Sequence, residues 1–219
     1  MTTYSDSLHQ YIVDLYARPD AALVEGQRIA ADAGLPAISV NPEEGRFLQV
    51  LVRAAGVRCA VEIGTLGGFS GTWIARGLPH GGKLITLEKD PHHAEIARQN
   101  FARGGVTDRV DIRVGDAHQL LDQIAREDIA CNGLFDFVFI DADKTGYPYY
   151  FSWALDAVRV GGLIVAHNAF RGGRVLATGD LDEGDRAMQE FNRQVADEPR
   201  VLSTIYPAGD GTLLAVRIA

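Results

Sequence analysis

The run CAVEIGTLGGFS, Cys59 to Ser70, joins a short apolar stretch to a glycine-rich turn and then to a helix that opens near Ser70. Glycines in such a turn let the backbone approach a ligand closely. The G-x-G-x-x-G spacing of nicotinamide and flavin sites is missing, because Leu66 stands where the second glycine would be. A plain tight turn is the alternative reading of this stretch alone. Outward along the chain the alternation repeats: KLITLE (83–88), VDIRV (110–114), FDFVFID (135–141) and GGLIVAH (161–167) are separated by amphipathic helical segments. That order predicts βαβ units stacked around a parallel sheet. FDFVFI and LIVA are apolar almost throughout, as central strands covered on both faces should be. The fold class expected is α/β, with a doubly wound, mostly parallel, Rossmann-like sheet.

Residues 4–34 read as helical, with Leu8, Tyr11, Ile12, Leu15 and Tyr16 at helical spacing, so extra N-terminal helices precede the sheet. A further helix is expected to open at Pro42, with Glu43 and Glu44 in its first turn and Phe47, Leu48, Leu51 and Val52 on its apolar face. Beyond Leu181 a helix over about 182–196 leads to two late strands, 201–206 and 212–218, joined by the turn segment PAGDG. This closing hairpin would add antiparallel strands at one edge of the sheet. A length of 219 residues suits one domain spanning 1–219.

Hydrophobic residues make up 47% and charged residues 23%, an ordinary globular balance. The net charge of −8 and a pI near 5.2 argue against a protein that holds long nucleic acid by neutralising phosphates. The start of the chain lacks a basic segment followed by an apolar one, and no window reaches the roughly 18 apolar residues of a membrane span. Cytoplasmic residence without membrane contact is the expectation. Cys59 and Cys131 are the only cysteines and form no CxxC pair, so each reads as a small buried apolar residue outside any disulfide framework.

Ligands of doubly wound sheets sit beyond the carboxyl ends of the strands, so the residues at those ends carry the chemistry. Glu88, 24 residues after Gly64, has the spacing of an acid that holds ribose hydroxyls. Asp116 follows the third strand and could accept from an adenine amino group, cap the next helix, or both. The fourth strand ends in Asp141-Ala142-Asp143-Lys144 and the fifth in His167-Asn168.

Taken in order, VEIGTLGGFS, TLEKD, GDA, IDADK with Tyr147, and GGLIV followed by HN and RGG resemble the cation-dependent O-methyltransferases typified by the caffeoyl-coenzyme A and catechol enzymes. The resemblance runs from about Val40 to the C-terminus. It implies that Val40, Glu62, Gly64, Ser70, Glu88, Asp116, Ala117 and Asp141 line a pocket for S-adenosylmethionine. It also implies a divalent metal, Mg²⁺ or Mn²⁺, held by Asp141, His167 and Asn168. The family has aspartate where His167 stands, and imidazole suits Mn²⁺, Fe²⁺, Co²⁺ or Zn²⁺ better than Mg²⁺. Asp141 and Lys144 match the catalytic residues, Lys144 as the lysine assigned to general base; an ion pair with Asp143 or Asp141 is its bland alternative.

The family reaction passes the sulfonium methyl to a deprotonated hydroxyl of a small hydroxy-aromatic acceptor chelated on the metal. Tyr147 and Tyr150 read as core. Arg171 and Arg174 read as loop arginines, either solvated or facing an anionic acceptor. Two other functions remain open: methylation of a hydroxylated transfer-RNA base, and a non-catalytic S-adenosylmethionine-binding module. Bacterial relatives are commonly homodimers, and the apolar N-terminal helices would suit that interface.

Overall fold

The computed structural model describes residues 5–127, 133–207 and 209–219. In chain order its helices are α1 (Asp6–Ile12), α2 (Ala21–Asp32), α3 (Pro42–Ala54), α4 (Phe69–Gly77), α5 (Pro91–Arg103), α6 (Ala117–Ile124), α7 (Tyr147–Ala157) and α8 (Glu183–Asp197). The strands are β1 (Cys59–Ile63), β2 (Lys83–Glu88), β3 (Val110–Val114), β4 (Phe135–Ile140), β5 (Val158–Ala166), β6 (Val201–Tyr206) and β7 (Thr212–Arg217). They form a mixed seven-stranded sheet in the order β3-β2-β1-β4-β5-β7-β6. The α/β sheet with an antiparallel C-terminal hairpin is therefore as expected. The chain divides into two compact units, Met1–Val57 with Thr65–Gly115, and Arg58–Gly64 with Asp116–Ala219.

In the first unit the helical segment expected over 4–34 is broken into separate helices. A π-helical turn over Val13–Ala17 follows α1, and the chain then leaves helical geometry before α2. Pro19 has no amide hydrogen to continue a helix, and Asp20 adopts an extended conformation to cap α2, accepting from the Leu23 amide at 3.0 Å. At the start of α3 Glu44 reaches back to the Asn41 amide at 2.9 Å, which fixes the Pro42 opening expected from the sequence. β2 and β3 run parallel, with Leu84 opposite Val110 and Glu88 opposite Val114. Asn100 of α5 donates to Gly26 O and Gly67 O, tying α5 to α2 and to the turn before α4.

In the second unit β1, β4 and β5 are parallel neighbours, and β7 pairs antiparallel with β5 and with β6. β1 is buried at all five positions and β4 at five of six, which explains their near-unbroken apolar sequence. The exception on β4 is Asp136, whose carboxylate accepts from Arg58 N at 2.7 Å, Cys59 N at 2.9 Å and Arg159 Nε at 2.5 Å. Tyr147 and Phe151 of α7 pack edge-on against Phe191 of α8. Cys59 is buried, as expected. Cys131 lies outside the described residues.

Candidate active site

The glycine-rich turn is shaped by its own packing. Gly64 has φ +98°, and a Cβ placed there would lie 2.1 Å from the Asp141 carbonyl oxygen, so only glycine lets the ends of β1 and β4 meet. The passing β4 backbone is enough by itself to require glycine here. Asp141 N donates to Ile63 O at 2.9 Å and completes that junction.

In the first unit Glu88 ends β2 with its side chain turned onto the same turn. Its Oε2 accepts from Thr65 N at 3.3 Å and Leu66 N at 2.7 Å, and its Oε1 from Asp90 N at 2.9 Å. The Thr65 and Thr86 hydroxyls, 2.6 Å apart, add a second tie. Glu88 thus organises the turn, while a carboxylate's roughly four lone-pair sites leave acceptor capacity for hydroxyl groups. Ser70 lies half-buried in the first turn of α4. Val40 is buried and lines a cavity of about 490 Å³ with Leu23, Gln27, Leu66 and Phe69.

In the second unit Asp116 caps α6, its Oδ1 accepting from His118 N at 3.0 Å and Gln119 N at 3.4 Å. The helix-cap reading of Asp116 therefore holds. Ala117 follows it, half-buried, and Glu62 on β1 is fully buried.

The ends of β4 and β5 bring three of the expected residues together. Asp141 Oδ2 lies 3.3 Å from His167 Nδ1, and Asp141 Oδ1 lies 3.3 Å from Lys144 Nζ. Burial pushes the Asp141 carboxyl up, but the adjacent His167 and the Lys144 ammonium outweigh it and hold the pKa below the usual carboxylate value. Lys144 Nζ also donates to Ala142 O at 3.0 Å and to the Tyr147 hydroxyl at 2.6 Å. Burial lowers the Lys144 pKa, Asp141 opposes that shift, and Arg171 adds to it. The ion pair offered as the bland reading of Lys144 is present, and it holds the half-buried lysine beside Asp141.

Tyr147, read from the sequence as core, is fully buried and also polar in role. Its hydroxyl faces Ile140 O at 3.3 Å and His167 O at 3.2 Å and accepts a hydrogen bond from Lys144 Nζ. Burial lifts its pKa well above that of free tyrosine. Its position three residues after Lys144 was the available signal. Asn168, at φ +59°, directs its Nδ2 to Asp210 Oδ2 at 3.1 Å, a residue read only as part of a turn.

The loop arginines are partly exposed to solvent and ion-paired. Arg174 places Nε and Nη2 on Asp185 Oδ2 at 2.9 and 2.6 Å, and Arg171 pairs with Asp182 and Asp185. Asp185 sits buried at the capped start of α8; its Oδ2 accepts from Arg174 and from Asp182 N, while its Oδ1 lies 3.4 Å from Arg171 Nε.

Residues 15–218 match the model of a family described as O-methyltransferase. The chain belongs to the O-methyltransferase family. A catechol O-methyltransferase of Niastella koreensis is 44% identical over 200 residues, covering 91% of this chain and 89% of that protein. A caffeoyl-CoA O-methyltransferase of Zinnia elegans is 34% identical over 223 residues, covering 98% and 91%. The crystal structure of the O-methyltransferase from Bacillus cereus in complex with SAH superposes with a TM-score of 0.91 at 42% identity, covering 96% of this chain and 97% of that one. This O-methyltransferase thus stands among the S-adenosylmethionine-dependent enzymes that its sequence motifs resemble. Among the described residues no helix is long and apolar enough to cross a membrane.

Proposed function

We propose that the chain, read as one methyltransferase domain over 1–219, transfers a methyl group from S-adenosylmethionine to a hydroxyl of a catechol-like or hydroxy-aromatic small molecule, with a divalent metal assisting. The carrying observation is the meeting of Asp141, His167 and Lys144 within 3.3 Å at the ends of β4 and β5. The catechol and caffeoyl-CoA names of the relatives support the acceptor class.

For the cofactor, the proposed ligands in the first unit are Val40, Ser70 and Glu88, with Glu88 taking ribose hydroxyls on its remaining lone pairs. In the second unit they are Glu62, Gly64, Asp116, Ala117 and Asp141, with Asp116 accepting from the adenine amino group. S-adenosylmethionine supplies an electrophilic methyl on a sulfonium, and acidic side chains suit its positive charge.

Among the described residues no three His, Cys, Asp or Glu side chains gather around a point, so a metal here needs the Asn168 amide oxygen as third donor. One carboxylate, one imidazole and one amide oxygen form a mixed N/O set that suits Mn²⁺, Co²⁺ or Zn²⁺, with Mg²⁺ less favoured than in a carboxylate pair. A bound divalent ion would lower the pKa of an acceptor hydroxyl and orient it for in-line attack. Lys144 Nζ takes the acceptor proton when neutral, a state that its burial favours. Tyr147 and Ala142 O hold that nitrogen in place between turnovers.

The pairing of Arg171 and Arg174 with Asp182 and Asp185 weakens the transfer-RNA reading, because these cations are already neutralised. Methyl transfer from labelled S-adenosylmethionine to catechol, to total RNA, and to neither separates the three readings. Labelled catechol with inert RNA is the result expected; labelled RNA would replace this proposal, and cofactor binding without any transfer would favour the non-catalytic module.

A homodimer is proposed as the working assembly, supported by the exposure of Tyr11, Leu15, Tyr16 and Val24 on the N-terminal helices. Cytoplasmic residence is proposed on the same terms. A mass equal to one chain by light scattering at high concentration would rule the dimer out.

A further inference from the structure

The hairpin turn between β6 and β7 is mated to the loop that follows β5. Ala169 N donates to Gly211 O and Phe170 N to Asp210 O, both at 2.9 Å. Gly211 is tight against the Phe170 ring, since a Cβ there would come within 2.8 Å of it. Within this junction the Asp210 carboxylate is used at both ends: Oδ1 accepts from Gly172 N at 2.7 Å, and Oδ2 accepts from Asn168 Nδ2 at 3.1 Å. Asn168 itself is held at φ +59°, a left-handed conformation that asparagine tolerates better than most residues.

We propose that Asp210 is a positioning residue that sets the direction of the Asn168 amide, committing Nδ2 to the hairpin and leaving Oδ1 as the atom presented to a bound cation. The argument is one of donor and acceptor type. An ionised carboxylate accepts hydrogen bonds and donates none, so the amide nitrogen, not the oxygen, must face it. The second bond from Gly172 N stops the carboxylate from turning away. A side chain outside the ligand set thereby decides which ligand atom is offered, the general role of outer partners at metal sites. The inference rests on the reading of Asn168 as a metal ligand.

Asp210→Asn isolates orientation from anchoring. The new amide can keep its oxygen on Gly172 N, but it then turns an NH₂ toward Asn168, which must rotate its own oxygen to accept. Free Mn²⁺ measured by electron paramagnetic resonance reads the consequence without turnover. Wild type should bind Mn²⁺, D210N about tenfold more weakly, and the double variant Asn168→Asp with Asp210→Asn at least as tightly as wild type. In the double variant the amide at position 210 donates to one carboxylate oxygen at position 168 and leaves the other for the ion. Should D210N fold poorly, recovery in the double variant still decides the matter. Equal Mn²⁺ affinity in wild type and D210N, or no recovery in the double variant, would overturn the inference. No Mn²⁺ binding by wild type would instead remove the metal reading, and this inference with it.

Discussion

Lys144 Nζ lies 2.6 Å from the Tyr147 hydroxyl, which joins the β4 end to the first residue of α7. The hydroxyl also faces two backbone carbonyls, so the lysine is positioned by a group that is itself fixed. Tyr147→Phe keeps the ring against Phe191 and removes only this tether. Loss of one such bond at about 1.4 kcal/mol corresponds to about a tenfold fall in kcat. The affinity for S-adenosylmethionine, measured calorimetrically, should stay unchanged. Lys144→Met should cost about a hundredfold or more in kcat, the usual scale of a lost general base.

Gly64 is the position where the fold is least forgiving. Gly64→Ala combines a positive φ with a Cβ 2.1 Å from Asp141 O. The expected cost is about 3 kcal/mol or more, because backbone must move in the core. Thermal melting of G64A within a degree or two of wild type would contradict this account of the turn.

Glu88 has two roles, and they can be separated. Its three backbone donors predict that Glu88→Ala lowers the melting temperature, and its proposed ribose contact predicts a cofactor Kd raised about tenfold or more. Glu88→Gln keeps one carbonyl oxygen for the turn and should retain more stability than alanine. A variant that melts early but binds S-adenosylmethionine normally would leave Glu88 a structural residue alone.

Asp136 gives a pH signature. Burial pushes its carboxyl up, but Arg159 and the amides of Arg58 and Cys59 outweigh that and hold the pKa below its ordinary value. A carboxylate depressed in the folded state contributes fully above its unfolded pKa of about 3.9, and the contribution fades as pH falls through the folded value. Asp136→Asn should therefore cost about 2 kcal/mol at neutral pH and progressively less below pH 4. Chemical denaturation of both proteins at pH 7 and pH 3 measures the difference; an equal penalty at both would refute the linkage.

Much of this was legible in the sequence because short apolar runs and the polar residues at their ends report local geometry. FDFVFI announced a buried strand, and Asp141 and Lys144 at its end announced a site. The break at Pro19 and Asp20 was missed because the apolar spacing continues on both sides of it, and spacing alone does not register a cap. Tyr147 was missed because helical spacing marks a core ring equally well, although Lys144 three residues earlier was a local signal. Asp210 was missed for another reason: its partner Asn168 is 42 residues away across a loop, which no local pattern encodes. The salt-linked loop arginines belong to the same class, since Asp185 meets them only after α8 has packed.

The most direct test of the central claim is methyl transfer from labelled S-adenosylmethionine to catechol after chelation, with Mg²⁺, Mn²⁺, Co²⁺ or Zn²⁺ then restored one at a time. The account predicts that chelation abolishes transfer, that metal restores it, and that Mn²⁺, Co²⁺ or Zn²⁺ outperforms Mg²⁺ because His167 supplies an imidazole. Transfer that continues unchanged in excess chelator, or catechol left unlabelled with every metal, would contradict it.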